Sequence, residues 1–202
     1  ATPEGYARNP ELVINFYNER RKQLLDVVPN AGHLGVADLE RDFNVTVVTQ
    51  NVDNLHERAG STHVIHLHGE LTKVCSSRDP YNPHFVKELA PEEYEVKLGD
   101  KAGDGTQLRP FIVWFGESVP EIETAIRYVE QADIFVIIGT SLNVYPAAGL
   151  LNYVPRAAEV YLIDPKPVDT HVMRPIHVIQ KGASEGVKEL KALLTATQPP
   201  LP

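Results

Sequence analysis

Residues 45–49, Val-Thr-Val-Val-Thr, are an unbroken β-branched run that gives way at once to Gln50, Asn51, Asp53 and Asn54. That junction constrains the fold more than any other stretch. Stiff, branched side chains without polar alternation suit a strand covered on both faces, as a parallel sheet requires. Gln50, Asn51 and Asp53 cannot be core, because each amide or carboxylate buried without a partner costs about 1–3 kcal/mol. These residues sit at a rim or face a polar ligand. The transition recurs at 63–67, a second short strand leading into His68, Gly69 and Glu70.

The remaining pattern alternates. Asn9, Pro10 at a first helical position and Glu11 open a helix expected over 10–28, which Pro29-Asn30 ends. A helix over 32–43 leads into the first strand, and 53–59 reads as a short helix closed by Gly60. Strands come at 111–114, 134–138, 159–163 and 176–179, with helices at 120–131, 146–153 and 185–194. Strands alternating with helices of this length predict an α/β fold with a doubly wound, mostly parallel sheet. Residues 75–108 break the rhythm with Asp79-Pro80-Tyr81-Asn82-Pro83, an acidic Pro91-Glu92-Glu93 and a Gly- and Asp-rich 99–105. The expected organisation is one domain from 1–74 and 109–202, with 75–108 as a small inserted subdomain.

Composition narrows the function classes. The chain has 202 residues and 43% hydrophobic content, enough for one well-packed core. Its longest apolar run, 134–138, falls far short of the roughly 18 residues needed to cross a bilayer, and the first residues lack an apolar secretory core, so a cytoplasmic protein is expected. Nineteen Lys and Arg against 27 Asp and Glu give a formal charge of −8, which opposes nucleic acid and anionic membrane and suits a basic protein tail. The single cysteine, Cys75, allows no intrachain disulfide and no thiolate metal cage. A monomer is expected.

Several constellations carry chemistry, and read from the residues alone each keeps a structural alternative. His66 and His68 share one face of a short strand, which is open to a metal site, a packing role or catalysis. Gln50, Asn51 and Asp53 are turn formers or ligand contacts. Gly139-Thr140-Ser141 stands at the carboxyl end of a buried strand, where ligands bind in open α/β sheets, yet also makes an ordinary turn. Val113 to Glu117 is apolar enough for core. Tyr17 and Arg20, three apart on a helix, share a face that Glu19 and Arg21 would make an ordinary solvated one.

The two polar junctions, with Val113-Trp114-Phe115-Gly116-Glu117, Gly139-Thr140-Ser141 and Pro146-Ala147-Ala148-Gly149, resemble the sirtuin family of NAD-dependent protein-lysine deacylases in residues and order. The resemblance covers most of the chain. It implies a Rossmann-like fold, NAD as co-substrate and acylated-lysine proteins as substrates, with nicotinamide and O-acyl-ADP-ribose as products. His68, immediately before Gly69, matches the family's catalytic histidine, which activates a ribose hydroxyl. Gln50 and Asn51 are implied to contact the ribose and its attacking groups, Asn51 as a catalytic residue, and Asp53 to hold the nicotinamide carboxamide. Gly139, Thr140 and Ser141 would line the adenosine side, and Asp164 stands where the family usually has an asparagine for the adenosine ribose. Val113 and Phe115 would line the acyl-lysine channel, with Gly116 allowing close backbone approach. Tyr17 and Arg20 resemble the pair that recognises acidic acyl groups, which implies removal of succinyl or malonyl as well as acetyl. The same pocket would also serve ADP-ribosyl transfer or NAD hydrolysis, and a non-catalytic binder of acyl-lysine is a third reading.

The chain departs from the family in two places. Many sirtuins hold a ribbon on zinc with four thiolates; with Cys75 alone no zinc is expected, and Tyr81, Phe85, Leu89, Tyr94, Val96 and Leu98 are the candidates to pack the insertion instead. No Gly-Ala-Gly-x-Ser phosphate loop stands before residue 50. A parallel sheet without that central strand exposes unpaired interior edges and should fold poorly alone. The expectation is a longer protein, with roughly 35–45 further N-terminal residues for a strand, loop and helix.

Overall fold

The computed structural model describes residues 1–140, 147–168 and 174–196. In chain order its elements are α1 (Pro3–Arg8), α2 (Pro10–Asp26), α3 (Ala31–Asp38), β1 (Val47–Thr49), α4 (Leu55–Ala59), β2 (Val64–His66), β3 (Gly69–Ser76), β4 (Lys87–Glu88), β5 (Leu108–Ile112), α5 (Ile122–Val129), β6 (Ile134–Ile138), α6 (Ala147–Leu151), β7 (Glu159–Ile163), β8 (His177–Ile179) and α7 (Ala183–Ala196). Local chemistry sets most boundaries. Asn9 Oδ1 accepts from Leu12 N at 3.1 Å beside Pro10, which opens α2 as read from the sequence. Asn30 and His33 form a reciprocal capping box on α3, and Gly60, at φ +110°, ends α4. The sequence reading lacked α1, which Thr2 caps through Gly5 N.

The chain forms two units, Ala1–Val28 with Val48–Leu55 and Val64–Glu121, and Pro29–Val47 with His56–His63 and Ile122–Pro202. The second unit carries the α/β winding. β6, β7 and β8 are parallel, in register from Ile134 opposite Glu159 to Ile138 opposite Ile163, and from Tyr161 opposite His177 to Ile163 opposite Ile179. Tyr161 and Ile163 pack with Val36, Leu39, Ile179, Val187, Leu190 and Leu194 of α3, α7 and their surroundings. Val160 and Leu162 point to the opposite face and are equally buried, so helices and loops cover both faces of the sheet. This is the α/β class that the alternation implied.

The first unit is antiparallel around β3. Its order is β4-β3-β5, with Val74 opposite Pro110 and Cys75 opposite Arg109, and an irregular register between Gly69 and Val74. α2 lies on this sheet through Tyr17, Leu24, Leu71, Ile112 and Trp114, and through Ile14, Val74 and Val96. The expected strand at 111–114 is β5, earlier by three residues at its start. Residues 75–108 are more ordered than their composition suggested, for β3 runs into them and β4 pairs with it. Val96 is buried, but Leu98 is 56% exposed. Hydrogen bonds do much of the work expected of packing. Buried Ser76 Oγ donates to Asp104 Oδ2 and accepts from Arg78 N and Asp79 N. Asn18 reaches across from α2 to take both backbone groups of Val96, at 2.8 and 2.9 Å. Among the described residues no helix is long and apolar enough to cross a membrane.

Candidate active site

The two polar junctions meet because β1 and β2 pair side by side, with Leu67 N donating to Thr49 O at 3.0 Å. Beyond the strand ends the chain is held by further bonds, Asn51 N to Thr49 Oγ1 at 3.0 Å and Leu71 N to Val52 O at 2.8 Å. His68 Nδ1 lies 3.2 Å from Gln50 O and His66 Nδ1 lies 3.2 Å from Asn51 O. A carbonyl oxygen only accepts, so each Nδ1 carries the hydrogen. In neutral His68, Nε2 is then left with a lone pair, the form a general base requires. His66 is buried and its Nε2 lies 3.8 Å from Glu70 Oε1, while the other oxygen of that carboxylate, Oε2, holds Lys73 at 2.7 Å.

Gln50 Nε2 and Asn54 Oδ1 are buried without a hydrogen-bond partner among the described residues. Buried polar groups of this kind are rare enough in native structures to need a reason. Asp53 Oδ1 accepts from Leu55 N at 3.0 Å and so initiates α4. Asp53 is therefore a turn former here, through Oδ1.

The glycine after His68 is dictated by packing. Gly69 has φ +87°, and a Cβ there would overlap the Phe111 carbonyl on β5. The close approach lets His68 O accept from Val113 N at 2.9 Å, tying the histidine to the Val113–Gly116 stretch. In that stretch Trp114 is buried, Phe115 is 82% exposed, and Gly116 sits at φ +89° with open space around it. Phe115 and Gly116 are the central residues of a turn that Glu117 N closes on Trp114 O at 3.0 Å, which carries the Phe115 ring out from the core.

Tyr17 is buried against Trp114, whose Nε1 lies 3.0 Å from its hydroxyl, and desolvation raises the phenol's pKa. Arg20 is exposed and stacks over Phe16, 5.1 Å from the ring centroid. Arg21, which the solvated-face alternative would leave in water, is buried and bonded to Asn18, Tyr94 O and Leu71 O, with burial lowering its pKa to about 10. Tyr17 and Val52 belong to one apolar cluster with Leu71, Ile112 and Trp114, so α2 and the Gln50–Asp53 turn share a packing centre.

The sequence reading missed a buried ion pair beneath this cluster. Arg109 makes two bonds to Glu117, at 2.9 and 3.0 Å, and its guanidinium lies 3.7 Å from the Trp114 ring centroid. Glu117 Oε1 also accepts from Trp114 N at 2.8 Å. Burial pushes the Glu117 carboxyl up, and the bonds from Arg109 and the Trp114 N–H outweigh it and hold the carboxyl below its usual range. Glu117 closes the motif quoted from the sequence, but its partner, eight residues upstream, carries no local signal. Cys75 is buried, with its thiol pushed up to about 12 by desolvation, which leaves it unreactive.

In the second unit, Gly139 and Asp164 follow adjacent parallel strands, β6 and β7, at their carboxyl ends. Gly139 N donates to Ile163 O at 3.1 Å, and Asp164 Oδ1 accepts from Lys166 N at 2.8 Å. Gly139 has φ +67° and open space where a side chain would stand, with Thr140 next in the chain. Ser141 lies outside the described residues.

Comparison with known proteins matches residues 1–146 to the Sir2 family. An NAD-dependent protein deacylase of Bacteroides thetaiotaomicron is 83% identical over 194 residues, covering 96% of this chain and 83% of that protein. A solved Sir2 homologue–NAD complex superposes with a TM-score of 0.80 at 35% identity, over 98% of this chain and 77% of the other. A Sir2–p53 peptide–NAD+ structure gives 0.75 at 26% identity, over 97% and 82%.

Proposed function

The chain belongs to the Sir2 family and is an NAD-dependent protein deacylase, and we propose that His68 is its base and that it removes acidic acyl groups, succinyl or malonyl, as well as acetyl. The observation that carries the first part is the His68–Gln50 bond, which leaves Nε2 as an acceptor. When bound, NAD supplies an electrophilic ribose carbon to which the acyl oxygen is transferred as nicotinamide leaves. His68 takes the proton of a ribose hydroxyl, and the Gln50 carbonyl steadies the imidazolium that results. The buried Gln50 Nε2 suits a ribose oxygen, Asn51 lies beside it in the same turn, and the Asp53 carboxylate suits the carboxamide N–H of nicotinamide.

Gly139, Thr140, Ser141 and Asp164 are assigned to the adenosine end, which the open space at Gly139 and the strand-end position support. Substrate lysine is assigned to Val113, Phe115 and Gly116, with an extended peptide adding to the chain there, which the exposed Phe115 ring supports. The exposed guanidinium of Arg20 and the phenol of Tyr17 suit a terminal carboxylate. A domain from 1–74 and 109–202 with 75–108 inserted, a monomer that binds neither nucleic acid nor membrane, and a cytoplasmic setting belong to the same proposal; the charge of −8 supports a basic protein partner.

Mass spectrometry of the reaction with acetyl- and succinyl-lysine peptides tests it. O-acyl-ADP-ribose and nicotinamide are the expected products, whereas an ADP-ribosylated protein or free ADP-ribose alone would overturn the deacylation assignment for His68. Arg20→Met should lower kcat/KM for the succinyl peptide about tenfold more than for the acetyl peptide, the worth of one charge-assisted contact. Equal loss on both peptides would remove Arg20 from acyl selection.

A further inference from the structure

The direction of one hydrogen bond decides what Tyr17 can offer a ligand. An indole nitrogen only donates, so the Tyr17 oxygen is the acceptor in its 3.0 Å contact with Trp114 Nε1. The phenolic hydrogen must therefore point elsewhere. Among the described residues Tyr17 Oη makes that one hydrogen bond, and its own hydrogen finds no acceptor. A buried hydroxyl left so costs about 1–3 kcal/mol, unless an acceptor arrives. Accepting one bond also polarises the phenol, which strengthens it as a donor.

Trp114 is built to hold this geometry. The Arg109 guanidinium lies over its ring, 3.7 Å from the centroid, and the Tyr6 ring contacts it at 5.2 Å between centroids, while Glu117 binds both its backbone N–H and Arg109. Trp114 is 3% exposed, so the indole itself has almost no surface to give a ligand. We propose that Trp114 is a positioning residue for acyl selectivity: its indole N–H fixes Tyr17 as a donor, so that Tyr17 O–H and Arg20 together meet the terminal carboxylate of an acidic acyl-lysine. The Arg109–Glu117 pair holds the indole in place. This deepens the assignment of Tyr17 and Arg20 to acidic acyl groups and rests on it. An acetyl group brings no carboxylate, so the orientation of the phenol matters far less to it.

The test is steady-state kinetics of the full chain on matched succinyl- and acetyl-lysine peptides. Trp114→Phe removes the donor and keeps a ring; replacing Trp114 by β-(3-benzothienyl)alanine removes it with the indole shape intact, and decides the matter if the phenylalanine protein folds poorly. Each is expected to raise the ratio of succinyl to acetyl KM about tenfold, the worth of one hydrogen bond to a charged group, with the change in KM rather than kcat. Tyr17→Phe should raise the ratio comparably, and combining it with Trp114→Phe should add nothing. A proportional loss on both peptides, or an unmoved ratio, would overturn the proposal. If Arg20→Met and Tyr17→Phe shift the ratio and the Trp114 variants do not, the Trp114 inference alone fails. If none of the four shifts it, the acidic-acyl reading fails as well.

Discussion

Gly69 and Phe111 approach so closely that the Phe111 carbonyl oxygen occupies the place a Cβ on Gly69 would take. The pairing of β3 with β5 thus begins at the residue after His68, and the histidine's carbonyl is bonded to Val113 N within the same contact. A side chain at 69 meets backbone rather than a movable side-chain end, and the φ of +87° disfavours it independently.

Gly69→Ala is therefore expected to destabilise the fold by about 3 kcal/mol or more and to lose activity with it. Urea denaturation and peptide deacylation measured on the same preparation check this. A stable, active alanine protein would contradict the close approach.

His68→Ala should lower kcat about 100-fold or more, the usual scale of a lost general base, and leave the circular dichroism spectrum as it was. The half-exposed position of the side chain makes the loss chemical rather than structural. Turnover with acetyl-lysine peptide under saturating NAD is the measurement.

Arg109→Leu leaves Glu117 charged and unpaired next to Trp114. Breaking a buried pair from one side costs about 3–5 kcal/mol, and the Arg109 and Glu117 side chains are only 4% and 13% exposed. Glu117→Gln should cost less, because it keeps an acceptor for the Trp114 N–H. Urea midpoints of the two variants should differ in that order.

Asp104 makes the inserted segment sensitive to acid. Hydrogen bonds from Ser76 and Thr106 lower its pKa from 3.8 to about 2. A carboxyl with a folded pKa below its unfolded one stabilises the fold fully above the unfolded value, and that contribution is lost as pH falls from 3.8 toward about 2. Asp104→Asn should flatten the decline over that window, measured as urea midpoints at stepped pH. An unchanged slope would rule out this carboxyl as the source.

Much of this was legible locally. The capping residue Asn9, the glycine closing α4 and the runs at 134–138 and 159–163 placed their elements at or near the observed bounds, because a cap or a buried strand is written in adjacent residues. The burial of Arg21 was not legible because its guanidinium is held by the carbonyls of Tyr94 and Leu71 in distant segments, and its helical spacing carries no record of them. Leu98 was misjudged for the opposite reason, since apolar identity alone does not bury a side chain.

By itself the sequence determined that strands would alternate with helices and that two polar bursts would leave strand ends, since side-chain shape and backbone preference act over a few residues. Only the tertiary structure decided which nitrogen of His68 bears the hydrogen and that the Tyr17 oxygen accepts a bond. Those are settled by a carbonyl 18 residues away and an indole 97 residues away, and a hydrogen bond is decided by where its partner lies in space.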